Sequence, residues 1–250
     1  MTAYRSGIFP MADSRDDTEL FWIEPRERAI LPLDGFHCSR SLAKVLRKGT
    51  FTVTCNAAFR EVVEACAAPR PDHPESWISD RIARSYAALH EFGNAHSVEC
   101  WQDGELVGGL YGVGFDRVFC GESMFSKATN ASKVALAWLV ASLRMARVEL
   151  LDCQFMTDHL ATMGAVEITQ QEYLDLLQAA QSKDPRKPAP RSLPEGYWSL
   201  LAAAAGAGGE GAGAGDGDAT GAGGRDVPDD SAGAAVSPGY FISHFLTQTS

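Results

Sequence analysis

Arg117 to Thr157 reads RVFCGESMFSKATNASKVALAWLVASLRMARVELLDCQFMT, and its order of strand, loop, helix and strand decides the fold. Arg117 to Cys120 is a short apolar run ending at Gly121, which predicts a strand. Gly121 to Ser126 mixes one acid, two hydroxyls and two large apolar residues and reads as a loop. Asn130 or Ser132 is placed to cap the next helix with a side-chain oxygen. Val134 to Arg144 carries apolar residues at helical spacing. Val148 to Phe155 is a second strand. Period 2 puts Leu151, Cys153 and Phe155 on one face and Asp152 with Gln154 on the other. A carboxylate in an apolar strand costs free energy unless it is hydrogen-bonded, so Asp152 needs a partner or a task.

Upstream, His96 to Trp101 and Glu105 to Val113 are strands joined at Asp103-Gly104, a two-residue hairpin signal. Gly108-Gly109 inside the second strand signals a bulge or a close backbone approach. Three antiparallel strands, a helix and a further strand give an α+β core around a mixed, mainly antiparallel sheet. Residues 1–36 are aromatic and proline-punctuated and read as a small N-terminal domain of short strands. Residues 37–200 form the main domain. Ser39 to Gly49 predicts a helix with Leu42, Val45 and Leu46 inward and Arg40, Lys44, Arg47 and Lys48 outward. Such a patch is either a solvated face or a phosphate-backbone contact. Phe51 to Cys55 is a strand, and Ala57 to Ala67 and Arg81 to Phe92 are helices. Residues 68–75 form a loop between them. A short helix over 157–163, a strand over 165–168 and a helix over 171–180 follow. Residues 201–238 are Gly/Ala/Asp low complexity, expected to be a disordered linker, and 239–250 form an apolar end segment that docks back.

The 250 residues are 45% hydrophobic and 22% charged, an ordinary globular composition. There is no run of about 18 apolar residues and no secretory leader pattern, and no membrane partner is expected. Six cysteines stand apart with no CxxC pair, which argues against zinc and dithiol chemistry and for a cytoplasmic location. The net charge of −10 is unevenly spread. Six acids and one base between 201 and 236 account for half of it, so a local basic patch outweighs the sum.

The GIFPM start, HCSRSL, the EC-W-QDGELVGGLYGV pair, GESMFS, NASKVAL, LLDCQF and GAVEI together resemble the leucyl/phenylalanyl-tRNA–protein transferase family, over about Gly7 to Tyr173. The resemblance implies a small N-terminal domain followed by a GNAT-like N-acetyltransferase domain. It implies transfer of Leu or Phe, sometimes Met, from aminoacyl-tRNA to proteins starting with Arg or Lys, in N-end-rule degradation. Acetyltransferases hold a pyrophosphate on a glycine-rich loop at a helix start. Here Ser123-Met124-Phe125-Ser126-Lys127 stands in that place, and its bulk suits an apolar aminoacyl group better than coenzyme A. The alternative class is a GNAT-type acetyltransferase acting on small amines.

Aminolysis of an activated ester requires no ATP, metal or other cofactor, only a free amine, placement and oxyanion stabilisation. The resemblance assigns proton movement to Asp152 and Gln154, with Gln154 linking the attacking amine to Asp152. It gives Glu122 the donor's amine or its orientation; a cap or ion pair is the plainer reading. Leu110, Phe119, Met124, Leu136 and Leu151 match the aminoacyl pocket, and Trp22 and Trp77 match aromatics flanking the terminal adenosine. As single residues, each of these also reads as core. Arg40, Lys44, Arg47 and Lys48 become the candidates for the tRNA backbone. Cys153, facing away from Asp152, is not expected to be a nucleophile. The chain is expected to act as a monomer.

Overall fold

A computed structural model of the chain describes residues 1–69, 76–207 and 237–247. The chain opens with α1 (Thr2–Arg5), β1 (Phe9–Met11), β2 (Phe21–Ile23) and β3 (Glu27–Ile30). A 3-10 turn at Leu33–Gly35 leads to α2 (Arg40–Lys48), β4 (Thr52–Cys55), α3 (Phe59–Ala67) and α4 (Asp80–Glu91). The centre is β5 (Ala95–Gln102), β6 (Glu105–Phe115), β7 (Val118–Ser126), α5 (Ala131–Ala146) and β8 (Leu150–Gln154). It closes with α6 (Asp158–Thr162), β9 (Val166–Thr169), α7 (Gln170–Gln181), α8 (Leu193–Ala207) and α9 (Pro238–Thr247).

β1 and β2 pair as a separate two-stranded sheet. The main sheet has the order β4-β5-β6-β7-β8-β3-β9. All its pairings are antiparallel except β7 with β8, as the helix between those two strands requires. Asp103 and Gly104 both take positive φ, which is why that dipeptide turns the β5–β6 hairpin. β3, from the N-terminal stretch, lies between β8 and β9 in the main sheet.

Two apolar cores cover the two faces. α2, α5, α8 and α9 pack on one side, contributing Leu42, Leu139, Tyr197 and Ile242. α1, α3, α4 and α7 pack on the other, contributing Tyr4, Val62, Tyr86 and Tyr173. Alternation in the strands sorts side chains between them: Leu110 and Leu151 face the first core, Tyr111 and Leu150 the second. α5 is buried along most of its length, as its nearly unbroken apolar sequence demands. A Cβ on Gly108 would stand 2.4 Å from that of Ala131, so glycine lets α5 start directly against β6. The Gly108-Gly109 signal therefore marks a close approach.

Three local expectations are corrected. Gly121–Ser126 is not a loop. It continues β7, paired from Tyr111↔Ser123 to Gly108↔Ser126 with the long β6, and that backbone ladder outweighs a polar local pattern. Asn130 is the residue before α5 but takes φ 70 and makes no side-chain cap. Ser126 Oγ accepts from Ser132 N–H instead, at 3.3 Å. Ala202–Ala207 belongs to α8, because alanine is the best helix former and Ala204 is fully buried. The rest of the expected linker from 208 to 236, and most of the 68–75 loop, lie outside the described residues.

The apolar end segment does dock back as α9, burying Ile242 and Leu246. A Cβ on Gly239 would stand 2.0 Å from the Leu46 carbonyl oxygen, and the Ser237 hydroxyl reaches the Arg47 carbonyl at 3.4 Å. α9 therefore seats against the last turn of the basic helix α2. No helix among the described residues is long and apolar enough to cross a membrane. Gly239→Val should push α9 off α2 and lower stability by about 1–3 kcal/mol, read as a reduced Tm. An unchanged Tm would show that this contact does not hold the helix.

Candidate active site

β7 and β8 run together only over Val118–Cys120 and Leu150–Asp152. Beyond them β7 continues beside β6 to Ser126, while β8 ends at Gln154. The parting of the two strands opens a cavity of about 540 Å³, within the common range for small-molecule sites.

Leu110, Met124, Leu136 and Leu151 of the expected pocket line this cavity, joined by Leu139 and Leu160. Phe119 is not on its wall; it is buried in the core beside α5, while its neighbours Val118 and Cys120 alternate to the other core. Phe9, Met11, Trp77 and the exposed Phe155 also border the cavity. Trp22 does not. It sits on β2 opposite Pro10 with 55% of its surface exposed, next to the wall strand rather than on the wall.

Asp152 and Gln154 are not two side chains on one face. Gln154 takes φ 58, a left-handed conformation rare outside glycine, so the alternation of β8 ends before it. Its side chain lines the cavity with Cys153 and Phe155. Its backbone N–H instead donates to Asp152 Oδ1 at 2.9 Å. The Asp152 carboxylate, 0% exposed, lies off the cavity wall and receives Arg28 as a fork, Nε to Oδ1 at 2.8 Å and Nη2 to Oδ2 at 2.6 Å. The Tyr173 hydroxyl donates to Oδ2 at 3.0 Å. Four donors thus fill both oxygens, which is how a buried carboxylate is accommodated. Arg28 is 2% exposed, stacks on the rings of Phe9 and Tyr173 at 4.8 and 4.3 Å and donates to the Gly7 carbonyl at 3.0 Å. Burial alone would depress its guanidinium, and the bidentate carboxylate more than reverses this.

Glu122 does line the cavity. Its Oε2 accepts from the Tyr86 hydroxyl at 2.6 Å, and Tyr86 meets the Tyr4 hydroxyl at 2.8 Å. Burial pushes its carboxyl up to about 7, against the pull of those hydroxyls. Five buried side-chain polar atoms among the described residues lack a partner. Four of them, Glu122 Oε1, Tyr111 Oη, Gln154 Nε2 and His159 Nε2, belong to residues of this wall. Such atoms are costly in a folded interior, which makes this wall the candidate place for a ligand's polar groups. His159 is held towards its neutral form by burial and by nearby Lys133. Cys153 is on the wall, but burial drives its thiol far from ionisation, so it has no thiolate for attack. No group of three or more metal-ligating side chains occurs among the described residues.

Arg28, Tyr173, Tyr86, Tyr4, Tyr111 and His159 were not anticipated from sequence. Arg28 had a faint signal: of the charges in Glu24 to Arg28 it is the one directly against the apolar run Ala29-Ile30-Leu31. Arg40, Lys44, Arg47 and Lys48 are all exposed, and none forms an ion pair among the described residues.

The family model described as leucyl/phenylalanyl-tRNA protein transferase matches residues 30–178, and the model of that family's N-terminal domain matches residues 1–26. This chain belongs to the leucyl/phenylalanyl-tRNA protein transferase family. A relative of that name from Novosphingobium aromaticivorans is 72% identical over 181 residues, 72% of this chain and 69% of the relative. Another from Zymomonas mobilis is 57% identical over 182 residues, 73% and 68% of the two chains. The C-terminal domain (DUF2156) of a putative lysylphosphatidylglycerol synthetase from Agrobacterium fabrum is 11% identical at a TM-score of 0.37, covering 78% of this chain and 60% of that one, too distant to bear on the fold. The match to the family models holds the whole cavity, whereas α8 and α9 lie beyond it.

Removing one partner of a buried ion pair strands the other charge. Arg28→Ala should therefore cost about 3–5 kcal/mol in denaturant unfolding. Arg28→Met with Asp152→Leu should recover most of that loss, and a double variant no more stable than the single one would contradict this account of the pair.

Proposed function

We propose that this member of the family moves Leu or Phe from aminoacyl-tRNA to the α-amine of acceptor proteins beginning with Arg or Lys. The observation that carries the reading is the cavity itself. Its walls are apolar and bulky, with Met124 and Phe125 among them, and four of its residues each carry a buried polar atom without a partner. Leu110, Met124, Leu136 and Leu151 hold the aminoacyl side chain. Side chains unbranched at Cβ, such as Leu and Phe, fit such a slot better than β-branched ones, a preference worth about 1–3 kcal/mol per methyl.

The ester is already activated, so the protein has to place the amine, receive its proton and stabilise the oxyanion. Asp152 acts here as a positioner. With both oxygens saturated it fixes Arg28 and the backbone of Gln154, and so aims the Gln154 amide, a free donor, into the cavity for the oxyanion. Glu122 faces the amines. Trp77 stacks on the terminal adenosine. Arg40, Lys44, Arg47 and Lys48 on α2 neutralise tRNA phosphates, with Trp22 an outlying aromatic. Acting in the bacterial cytoplasm, the product marks proteins for N-end-rule degradation.

Incubation with labelled Phe-tRNA and an Arg-initiated peptide should give Phe-peptide, with Val-tRNA poorer by about 10-fold or more. Acetylation of the peptide from acetyl-CoA without Phe transfer would instead establish the acetyltransferase reading. Lys44→Glu with Arg47→Glu should weaken tRNA binding and reduce the slope of log K against log salt by about 1.5 to 2; unchanged affinity would remove α2 from the tRNA interface.

A further inference from the structure

The proton released as the amide forms must be received by a group that reaches the cavity and has a free lone pair. Asp152 has neither property. It lies off the wall, and Arg28, Tyr173 and the Gln154 N–H occupy its two oxygens. Cys153 is held as a thiol, and His159, also on the wall with Nε2 unpartnered, is made a weaker base by burial and by Lys133. Glu122 is on the wall, and its Oε1 is buried without a partner while Oε2 is anchored by Tyr86. The anchored oxygen fixes the plane of the carboxyl, and the other is left without a protein partner on a residue that lines the cavity.

We infer that Glu122 is the general base of the reaction, taking a proton from the acceptor amine at Oε1 and returning it to the departing 3′ oxygen of the tRNA. The inference rests on the aminoacyl-transfer reading above. The amine nitrogen attacks the ester carbonyl carbon, and the C–N bond forms as the carbonyl electrons move to oxygen. The N–H proton passes to Oε1. The carbonyl then re-forms, the C–O bond to the ribose breaks, and the same proton completes the 3′ hydroxyl. Glu122 ends as it began, and no other reactant is consumed.

The surroundings suit this duty. Burial raises the carboxyl of Glu122 to about 7, and the charge of Asp152 adds to that effect. The hydroxyls of Tyr86 and Tyr4 and the charge of Arg28 oppose it. Around it stand Tyr4 of α1, Tyr86 of α4, Tyr111 of β6, Cys120 of its own strand, Arg28 of β3 and Asp152 of β8. The tyrosines and Cys120 are all raised by burial and stay protonated, so Glu122 is the group of this cluster that changes charge near neutrality. A base with its transition at the working pH is the most effective kind.

The test uses the full-length protein, an Arg-initiated peptide and two donors, phenylalanyl-adenosine and phenyllactyl-adenosine, the second carrying a hydroxyl in place of the α-amine. Glu122→Gln should lower kcat about 100-fold or more with both donors and leave KM for the donor little changed. A loss confined to the phenylalanyl donor would mean that Glu122 only grips the donor's amine, and would overturn the inference. Thermal melting of each variant controls for folding. Tyr86→Phe keeps the carboxylate but removes a hydrogen bond that favours its ionised form. The acid limb of the wild-type kcat profile should therefore move to higher pH in Tyr86→Phe. The acceptor amine's own titration has no reason to move, so an unshifted limb would also count against Glu122. Absence of any transfer by the wild type would overturn the aminoacyl-transfer reading as well.

Discussion

The ion pair between Arg28 and Asp152 is the contact on which the rest of the site depends. Neither group is tolerable alone in an interior this dry. Together they draw four separated parts of the chain to one point: the Gly7 carbonyl and Phe9 ring near the N-terminus, β3, β8, and Tyr173 on α7. β3 is inserted between β8 and β9, and the pair secures that insertion from the side-chain end while the ladder secures it along the backbone. The Asp152 carboxylate also accepts the Gln154 N–H, which stabilises the left-handed turn that aims the Gln154 side chain into the cavity. One buried charge pair thereby joins the fold to the site.

Much of the fold was readable because local signals and tertiary demands agreed. The Asp103-Gly104 turn, the helix opening at Ser39 and the apolar periods of α2, α3 and α4 each specify what the structure contains. The readings failed where a distant partner decided the outcome. Gly121–Ser126 is strand because β6 runs alongside it, which no window of six residues reveals. The end of α8 is ordered because Ala204 packs into the core, which composition alone hides.

The site was legible in part for the same reason. Glu122, Met124 and Gln154 were found from their setting in one stretch and do line the cavity. The tyrosines that surround Glu122 come from α1, α4 and β6, and each alone is an unremarkable core residue. Phe119 packs in the core rather than on the wall because β7 lines the cavity only from Gly121 onward, a property of pairing and alternation rather than of residue type. Asp152 was correctly singled out as needing a partner. That partner is Arg28, 124 residues away.

The seating of α9 on α2 also bears on how the chain matures. α2 spans residues 40–48, whereas the helix braced against it spans 238–247. Domains assemble as the chain emerges, N-terminal parts first, and contacts so distant in sequence are slow to form. The basic helix is therefore made early in synthesis and receives its brace only after every strand of the main sheet has been made. Until then the cavity residues are complete while the positive surface of α2 lacks its support.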